Sequence, residues 1–271
     1  MHRSGNAVFV DGHVHKHACF DTETFLNGAS RNIQRAASGL GVSGPNDNFL
    51  LMTESNGMSF FTDVASHADR GGIGRWAFAT TEEETSLIAI KGAERLIIIA
   101  GRQIATRERL EVLAIGTVET PPDGDSLQNS LGATRAAGAM AIIPWGFGKW
   151  WGTRGTFVAH AINTALPGQL HLGDNGGRLR RSRPPKHFAM AENRGLSILP
   201  GSDPLPFPEH NDVAGSYGLF LHGPINPDRP TASICALIND REVRRRPFGT
   251  RTSFSKFIRY QMAMQLRKRR L

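Results

Sequence analysis

Short apolar runs alternate with helix-like stretches along most of the chain, and this alternation restricts the folds that the chain can adopt. The apolar runs typical of strands occupy residues 7–10, 49–52, 139–143, 169–172 and 196–199. After the first run, Phe25, Ala29 and Ile33 recur at the four-residue steps of one helix face. Four more strands are predicted within 76–117. Strands that alternate with helices predict an α/β fold with a largely parallel sheet.

Polar side chains follow several of these predicted strands, at the point where each strand ends. They are His13, His15, Glu54, Gln103, Asp174 and Asp203. A (β/α) barrel builds its active site from residues at the ends of several different strands. We therefore expect these six side chains to share one rim of a barrel.

The pattern His13-Val14-His15 favours a metal site. Alternate residues of an extended chain point the same way, so both imidazoles can reach one ion. Asp203, which ends another apolar strand in Gly201-Ser202-Asp203, offers a carboxylate. Two histidines and a carboxylate form a zinc set with an open coordination position. Such an ion lowers the pKa of bound water to about 7 and so supplies a nucleophile for hydrolysis.

Four segments, taken in order, carry a family resemblance: Val10-Asp11-Gly12-His13-Val14-His15, Leu51-Met52-Thr53-Glu54, 99–107 and Leu199-Pro200-Gly201-Ser202-Asp203. Together they resemble the polymerase and histidinol phosphatase (PHP) domain over residues 7–220. The resemblance implies a distorted seven-stranded (β/α) TIM-like barrel of the PHP type. It also implies a metal cluster at the C-terminal rim of the barrel and phosphoesterase activity.

The resemblance also implies a set of metal ligands, from which this chain departs in places. Three ligands carry over directly, namely His13, His15 and Asp203. Glu54-Ser55 stands where the family usually has Asp-His, Gln103 replaces a bridging glutamate, and Pro144-Trp145 replaces His-Pro. Glu54 carries over as a changed carboxylate ligand and Gln103 as a position only. We expect one divalent ion, or two, of zinc, manganese or iron, and no full trinuclear site.

Further residues are assigned to catalysis and substrate binding. Glu54, Asp174 and Asp203 are the candidate catalytic carboxylates, as ligands or as a general base. Arg178 and Arg181 lie in a loop after Asp174, where guanidinium groups suit a phosphate. A solvated basic loop is the alternative. The substrate-binding candidates are completed by Gln103 and by Trp145, which begins a run with three of the four tryptophans.

The positive charge is concentrated at one end of the chain. The formal net charge is +8, but residues 241–271 contain eleven Lys and Arg against the single acid Glu242, which is +10. The preceding 240 residues therefore carry −2. We predict a barrel at 1–222 and an extension at 223–271 that ends in a basic amphipathic helix. The extension can bind nucleic acid, an anionic membrane surface or an acidic partner, or it is a solvated helix.

These observations favour a metal-dependent, phosphoesterase-like hydrolase that acts on a small phosphorylated or anionic substrate through metal-activated water. One alternative is a barrel without catalytic activity that serves as a binding or scaffolding module. The other is an amidohydrolase-type enzyme that cleaves C–N bonds. Two cysteines, Cys19 and Cys235, are too few for a disulfide scaffold, and no apolar run reaches the length of a membrane span. We therefore expect a cytoplasmic protein.

Overall fold

The computed structural model describes residues 6–68 and 70–268, with strands and helices that alternate along the chain. The strands are β1 (Asn6–Val14), β2 (Asn46–Met52), β3 (Ala77–Thr80), β4 (Ser86–Lys91), β5 (Glu94–Ile99), β6 (Gly101–Ala105), β7 (Glu111–Ile115), β8 (Met140–Pro144), β9 (His171–Asn175), β10 (Ile198–Gly201), β11 (Tyr217–Gly223) and β12 (Arg246–Gly249). The helices are α1 (Thr22–Gly39), α2 (Phe60–Ala65), α3 (Leu127–Ala136), α4 (Thr153–Thr164), α5 (Lys186–Asn193), α6 (Pro230–Asn239) and α7 (Phe254–Lys268). A 3₁₀ turn lies at Pro208–His210.

The strands form two separate sheets. The first has seven strands in the order β12-β11-β1-β2-β5-β4-β3, and the second has five in the order β10-β9-β8-β7-β6. Parallel pairs join β1 to β2, β2 to β5, β8 to β9 and β9 to β10. The chain passes from the first sheet to the second at Ala100, between β5 and β6.

The prediction of a seven-stranded (β/α) TIM-like barrel is wrong. Within residues 6–68 and 70–268, both sheets are open, and antiparallel pairs such as β1 with β11 and β6 with β7 interrupt the parallel order. A barrel needs one continuous ladder of hydrogen bonds around its circumference. The α/β class itself is confirmed, as a mixed rather than a largely parallel arrangement.

The two sheets pack face to face, and helices cover their outer faces. Alternate residues of one strand take part in two different cores, as strand geometry requires. Val8 and Val10 of β1 lie in the core between the sheets, with side chains of β7, β10 and α6. Phe9 points the other way, into the core under α1 and α2. A third core lies between the second sheet and α3, α4 and α5.

Helix α1 follows directly from its sequence. Asp21 is its N-cap, and Oδ1 of Asp21 accepts a hydrogen bond from the amide of Thr24 at 2.8 Å. Phe25, Ala29 and Ile33 are fully buried, which confirms the predicted apolar face. Burial of a side chain the size of Phe or Ile contributes about 1.5–3 kcal/mol relative to an exposed position.

The residues after 222 are integrated with the rest of the fold. Helix α6 packs in the core between the sheets, and β12 pairs with β11 at the edge of the first sheet. Helix α7 contacts the body through Phe257, whose ring lies 5.0 Å from that of Phe147, and through an ion pair between Arg259 and Glu209 at 2.8 Å. The last residues of the predicted basic helix, 269–271, lie outside the described residues.

In the described part of the chain, no helix has the length and apolar character needed to cross a membrane.

Candidate metal centre

The predicted metal ligands come together where the ends of β1 and β10 meet. Two glycines permit this close approach of the two chain segments. A Cβ on Gly201 would lie 2.9 Å from Cα of His13 and closer still to its Cβ and amide nitrogen. A Cβ on Gly12 would lie 2.8 Å from the carbonyl oxygen of Pro200. The amide of Asp203 then donates to the carbonyl of His13 at 2.9 Å, which links the two ligand-bearing segments.

The side chain of Asp11 stabilises this junction through hydrogen bonds. It is fully buried, and its carboxylate accepts hydrogen bonds from the Ser202 amide at 2.8 Å, the Ser202 hydroxyl at 2.5 Å and the Gly215 amide at 2.7 Å. Burial raises the pKa of Asp11 to about 6, although the hydrogen bonds that it accepts act in the opposite direction. One side chain of β1 thereby fixes the segment that carries Asp203.

Three donor groups form a compact cluster at the end of this junction. Nε2 of His13 lies 3.0 Å from Nε2 of His15, and each lies 3.6 Å from Oδ1 of Asp203. Both imidazoles are buried. Asp203 has a φ of 48°, which is uncommon for a residue other than glycine, and Asn175 donates a hydrogen bond to its other oxygen, Oδ2.

The electrostatics of the cluster favour forms that bind a metal. Burial, and then the neighbouring His13, lower the pKa of His15 to about 3. Burial raises the pKa of Asp203, but the two imidazoles and the hydrogen bond from Asn175 outweigh it, so the net shift is downward. A neutral imidazole and an ionised carboxylate are the states that coordinate metal ions.

The donor set therefore fits a divalent ion. The ligand atoms of His13, His15 and Asp203 all lie within 4.8 Å of one another. No other group of three or more His, Cys, Asp or Glu side chains gathers as closely within 6–68 and 70–268. Two imidazoles and one carboxylate suit zinc with an open position, and they also match the ligand set of mononuclear iron(II) sites.

Glu54, predicted as a further ligand, lies outside this cluster. It is buried at the end of β2, where Oε1 accepts from the Phe61 amide at 2.7 Å and Oε2 accepts from Nη1 of Arg102 at 3.0 Å. Burial raises the pKa of Glu54. The side chain of Gln103, the residue after Arg102, lies close to the His15 imidazole and acts to raise its pKa, against the larger lowering by burial. Gln103 thus lies beside the cluster.

Asp174 and Arg178 pair with each other. Nε and Nη2 of Arg178 donate to the two oxygens of Asp174 at 2.6 and 2.7 Å, and both side chains are buried. The hydroxyl of Tyr217 donates to Oδ2 of Asp174 at 2.7 Å. Burial and then the Asp174 carboxylate raise the pKa of Tyr217. This bidentate pair holds the loop after β9 in place and leaves little of the Arg178 guanidinium for a substrate.

A cavity of about 1090 Å³ opens beside the cluster. Asp203 and Asn175 line it, as does Trp145, a predicted substrate-binding residue. Of the predicted arginines, Arg181 is exposed and lines no part of this cavity, whereas its neighbour Arg180 does. Helix α7 forms one wall, so the predicted C-terminal helix is part of the surroundings of the candidate site.

Sequence reasoning missed two residues that shape the site, Asp11 and Asn175. For each residue, the sequence contains a feature that indicates its role once the structure is known. Asp11 directly follows the apolar run Val8-Phe9-Val10 within β1, where a buried charged group needs polar partners. Asn175 directly follows Asp174 and is the last residue of β9, so it lies at the same edge of the sheet.

A search of protein-family models and of curated protein sequences finds no match to the chain. Solved structures show a similar fold at low sequence identity. PsfC from Pseudomonas syringae has 13% identity and a TM-score of 0.56, and the match covers 98% of this chain and 100% of PsfC. A two-domain protein from Bacteroides vulgatus that contains a predicted PHP-like metal-dependent phosphoesterase has 13% identity and a TM-score of 0.50. That match covers 90% of this chain and 65% of the other.

The lesion-specific endonuclease PfuEndoQ from Pyrococcus furiosus has 10% identity and a TM-score of 0.51, over 88% of this chain and 57% of the endonuclease. The chain therefore spans less than two thirds of the length of these last two proteins. At such identities the likeness shows the fold alone. The fold of this chain is thus similar to that of a protein that contains a predicted PHP-like phosphoesterase, and no family model matches the chain.

Proposed function

We propose that the chain is a metal-dependent hydrolase of the phosphoesterase type, with His13, His15 and Asp203 as the ligands of its ion. The observation that carries this proposal is the convergence of the three donor groups within 4.8 Å, beside a cavity of about 1090 Å³ that Asp203 lines. A divalent ion held there acts as a Lewis acid and lowers the pKa of water.

The surrounding residues hold the ligands in position. Asn175 donates to the Asp203 oxygen Oδ2, which leaves Oδ1 directed at the two imidazoles. The side chain of Gln103 lies beside His15. Such neighbours of metal ligands typically change metal affinity or activity by 10–100-fold when they are replaced. In this proposal, Glu54 and Asp174 are positioning residues, engaged with Arg102 and Arg178.

The charges around the cavity favour an anionic substrate. The cations Arg180, Arg251 and Lys256 line it. Two acidic side chains of the lining are engaged in ion pairs, Glu111 with Lys149 and Asp212 with Arg31. Arginine and lysine side chains recognise phosphate oxygens through charge-assisted hydrogen bonds. A phosphate ester therefore fits the cavity better than a neutral amide does.

The test combines metal analysis with hydrolysis. Wild-type protein, prepared without chelator, should carry about one zinc, manganese or iron ion per chain and should hydrolyse 4-nitrophenyl phosphate or bis(4-nitrophenyl) phosphate. His13→Ala and Asp203→Ala should lose both properties. His160→Ala is the matched control, because His160 is exposed on α4, is not part of the cluster and does not line the cavity.

The other outcomes separate the alternatives. A protein without affinity for any of these ions would refute the proposal and favour a binding or scaffolding module. A metal-loaded protein that cleaves cyclic amides and leaves phosphate esters intact would instead indicate an amidohydrolase. Binding of nucleic acid or an acidic partner through residues 241–271, and the cytoplasmic location, stay predictions.

A further inference from the structure

A second cavity, of about 400 Å³, adjoins the cavity at the metal cluster. Three residues, Trp145, Phe147 and Phe257, line both cavities, so the two cavities lie next to each other at these side chains. The volume of the second cavity lies within the range of about 300–1,000 Å³ that is usual for ligand pockets. We call it the aromatic cavity, because its lining includes Trp145, Phe147, Trp150, Trp151 and Phe257.

The aromatic cavity is built on a firmly anchored loop. Trp150 is buried, with its ring 5.3 Å from that of His187 and 5.7 Å from that of Phe188. Lys149 pairs with Glu111 of β7. Contacts on both sides of the loop thus hold it to the second sheet and to α5. The rings that the loop presents are in place before any ligand arrives, which lowers the entropic cost of binding.

Two rings of this loop are exposed. Trp151 is 65% exposed and Phe147 is 49% exposed, and their centroids lie 5.1 Å apart with an interplanar angle of 69°. Phe147 also packs edge-on against Phe257 of α7 at 5.0 Å. Large, partly exposed aromatic side chains that line a cavity are typical of sites that stack a planar group.

The charges of the aromatic cavity have one sign. Arg183 and Lys186 line it, and no aspartate or glutamate is among its lining residues within 6–68 and 70–268. The third cation of the lining, Arg178, is neutralised by Asp174. The cavity therefore rejects a cationic ligand and accepts a neutral or electron-rich ring attached to an anion.

We propose that the aromatic cavity binds the planar aromatic part of a phosphate ester whose phosphate group lies beside Asp203. The substrate class is then an aromatic phosphate ester, either an aryl phosphate or a nucleoside phosphate. This assignment rests on the proposed function, which it deepens by naming the alcohol part of the ester. Trp151 is its principal specificity-determining residue.

The experiment measures binding rather than hydrolysis, so that it does not depend on turnover. The zinc-loaded protein is titrated with phenylphosphonate and with methylphosphonate, and the change in tryptophan fluorescence and the heat of binding are recorded. We expect phenylphosphonate to bind about tenfold more tightly, since stacking on an aromatic side chain contributes at this level. Trp151→Ala should remove most of that preference and leave the affinity for methylphosphonate unchanged. If both phosphonates bind wild type equally well, or if the preference for phenylphosphonate survives in Trp151→Ala, the inference is overturned.

Phe157→Ala is the control, because Phe157 is 42% exposed on α4 and lines neither cavity. Adenosine serves as an uncharged probe that separates the two proposals. If neither phosphonate binds but adenosine binds and loses affinity in Trp151→Ala, the aromatic cavity stands and the phosphoesterase proposal fails. If none of the three probes binds, the aromatic cavity is refuted as well. Tighter binding of adenosine 5′-monophosphate than of phenyl phosphate would select nucleoside phosphates within the class.

Discussion

Replacement of Gly201 by alanine tests how the two ligand-bearing segments are brought together. The added Cβ would lie 2.9 Å from Cα of His13 and closer to its Cβ and amide nitrogen. Ordinary contacts between carbon atoms begin at about 3.5 Å, so the end of β10 must move from β1 by about 1 Å. The atoms that the new Cβ would meet are backbone and Cβ atoms of His13, which cannot avoid it by a side-chain rotation.

Two quantities should change in Gly201→Ala. Overpacking of this kind typically costs about 1–3 kcal/mol of unfolding free energy, and each kcal/mol lowers the Tm of a domain of this size by about 2–4 °C. A shift of about 1 Å between His13 and Asp203 also exceeds the tolerance of about 0.2 Å for metal–ligand distances. Zinc affinity should therefore fall at least tenfold.

The assays are thermal unfolding of the metal-free protein followed by circular dichroism, and zinc titration against a competing chelator. The control is Gly132→Ala in α3, where a Cβ would meet no atom within 4 Å. Alanine is more favourable than glycine in a helix, so this variant should be as stable as wild type or up to about 1 kcal/mol more stable. Wild-type zinc affinity and Tm in Gly201→Ala would refute the argument that glycine is required at this junction.

Two further predictions concern buried polar groups away from the cluster. Asp174→Ala should lower the unfolding free energy in urea by about 3–5 kcal/mol, because it leaves the Arg178 charge and the Tyr217 hydroxyl buried without their partner; a loss below about 1 kcal/mol would contradict this. Burial lowers the pKa of His171 to about 4, and only Nε2 is hydrogen-bonded, to Asn239 at 2.9 Å. The unfolded chain therefore binds this proton first, and stability should fall by about 3 kcal/mol between pH 7 and pH 4. His171→Gln should lack this part of the pH dependence in urea unfolding, and an unchanged slope would exclude His171 as its source.

The ends of β1 and β10 could be predicted from sequence because the signal is local. A short apolar run ends in His13-Val14-His15, and another ends in Gly201-Ser202-Asp203. The side chains of His13, His15 and Asp203 do converge. The chain order of polar residues after strands therefore carries information about which side chains meet.

The partners of Glu54 and Asp174 could not be predicted in this way. Each carboxylate also follows a strand, but each is neutralised by an arginine, Arg102 or Arg178, whose position depends on the local course of a loop or an adjoining strand. Residue type alone does not distinguish a ligand from half of a buried ion pair. The pairing of the strands could not be predicted from the sequence either. The same alternation of strands and helices fits a closed barrel and two open sheets between which the chain passes at Ala100.

The central claim is that His13, His15 and Asp203 hold one divalent ion. X-ray absorption spectroscopy at the zinc edge of protein loaded with one equivalent of zinc tests it most directly. The account predicts two imidazole nitrogens at about 2.0 Å and oxygen ligands at about 2.0–2.2 Å. It also predicts that the imidazole signal falls to one histidine in His15→Ala. A spectrum without two imidazoles in wild type, or one that His15→Ala does not alter, would contradict the account.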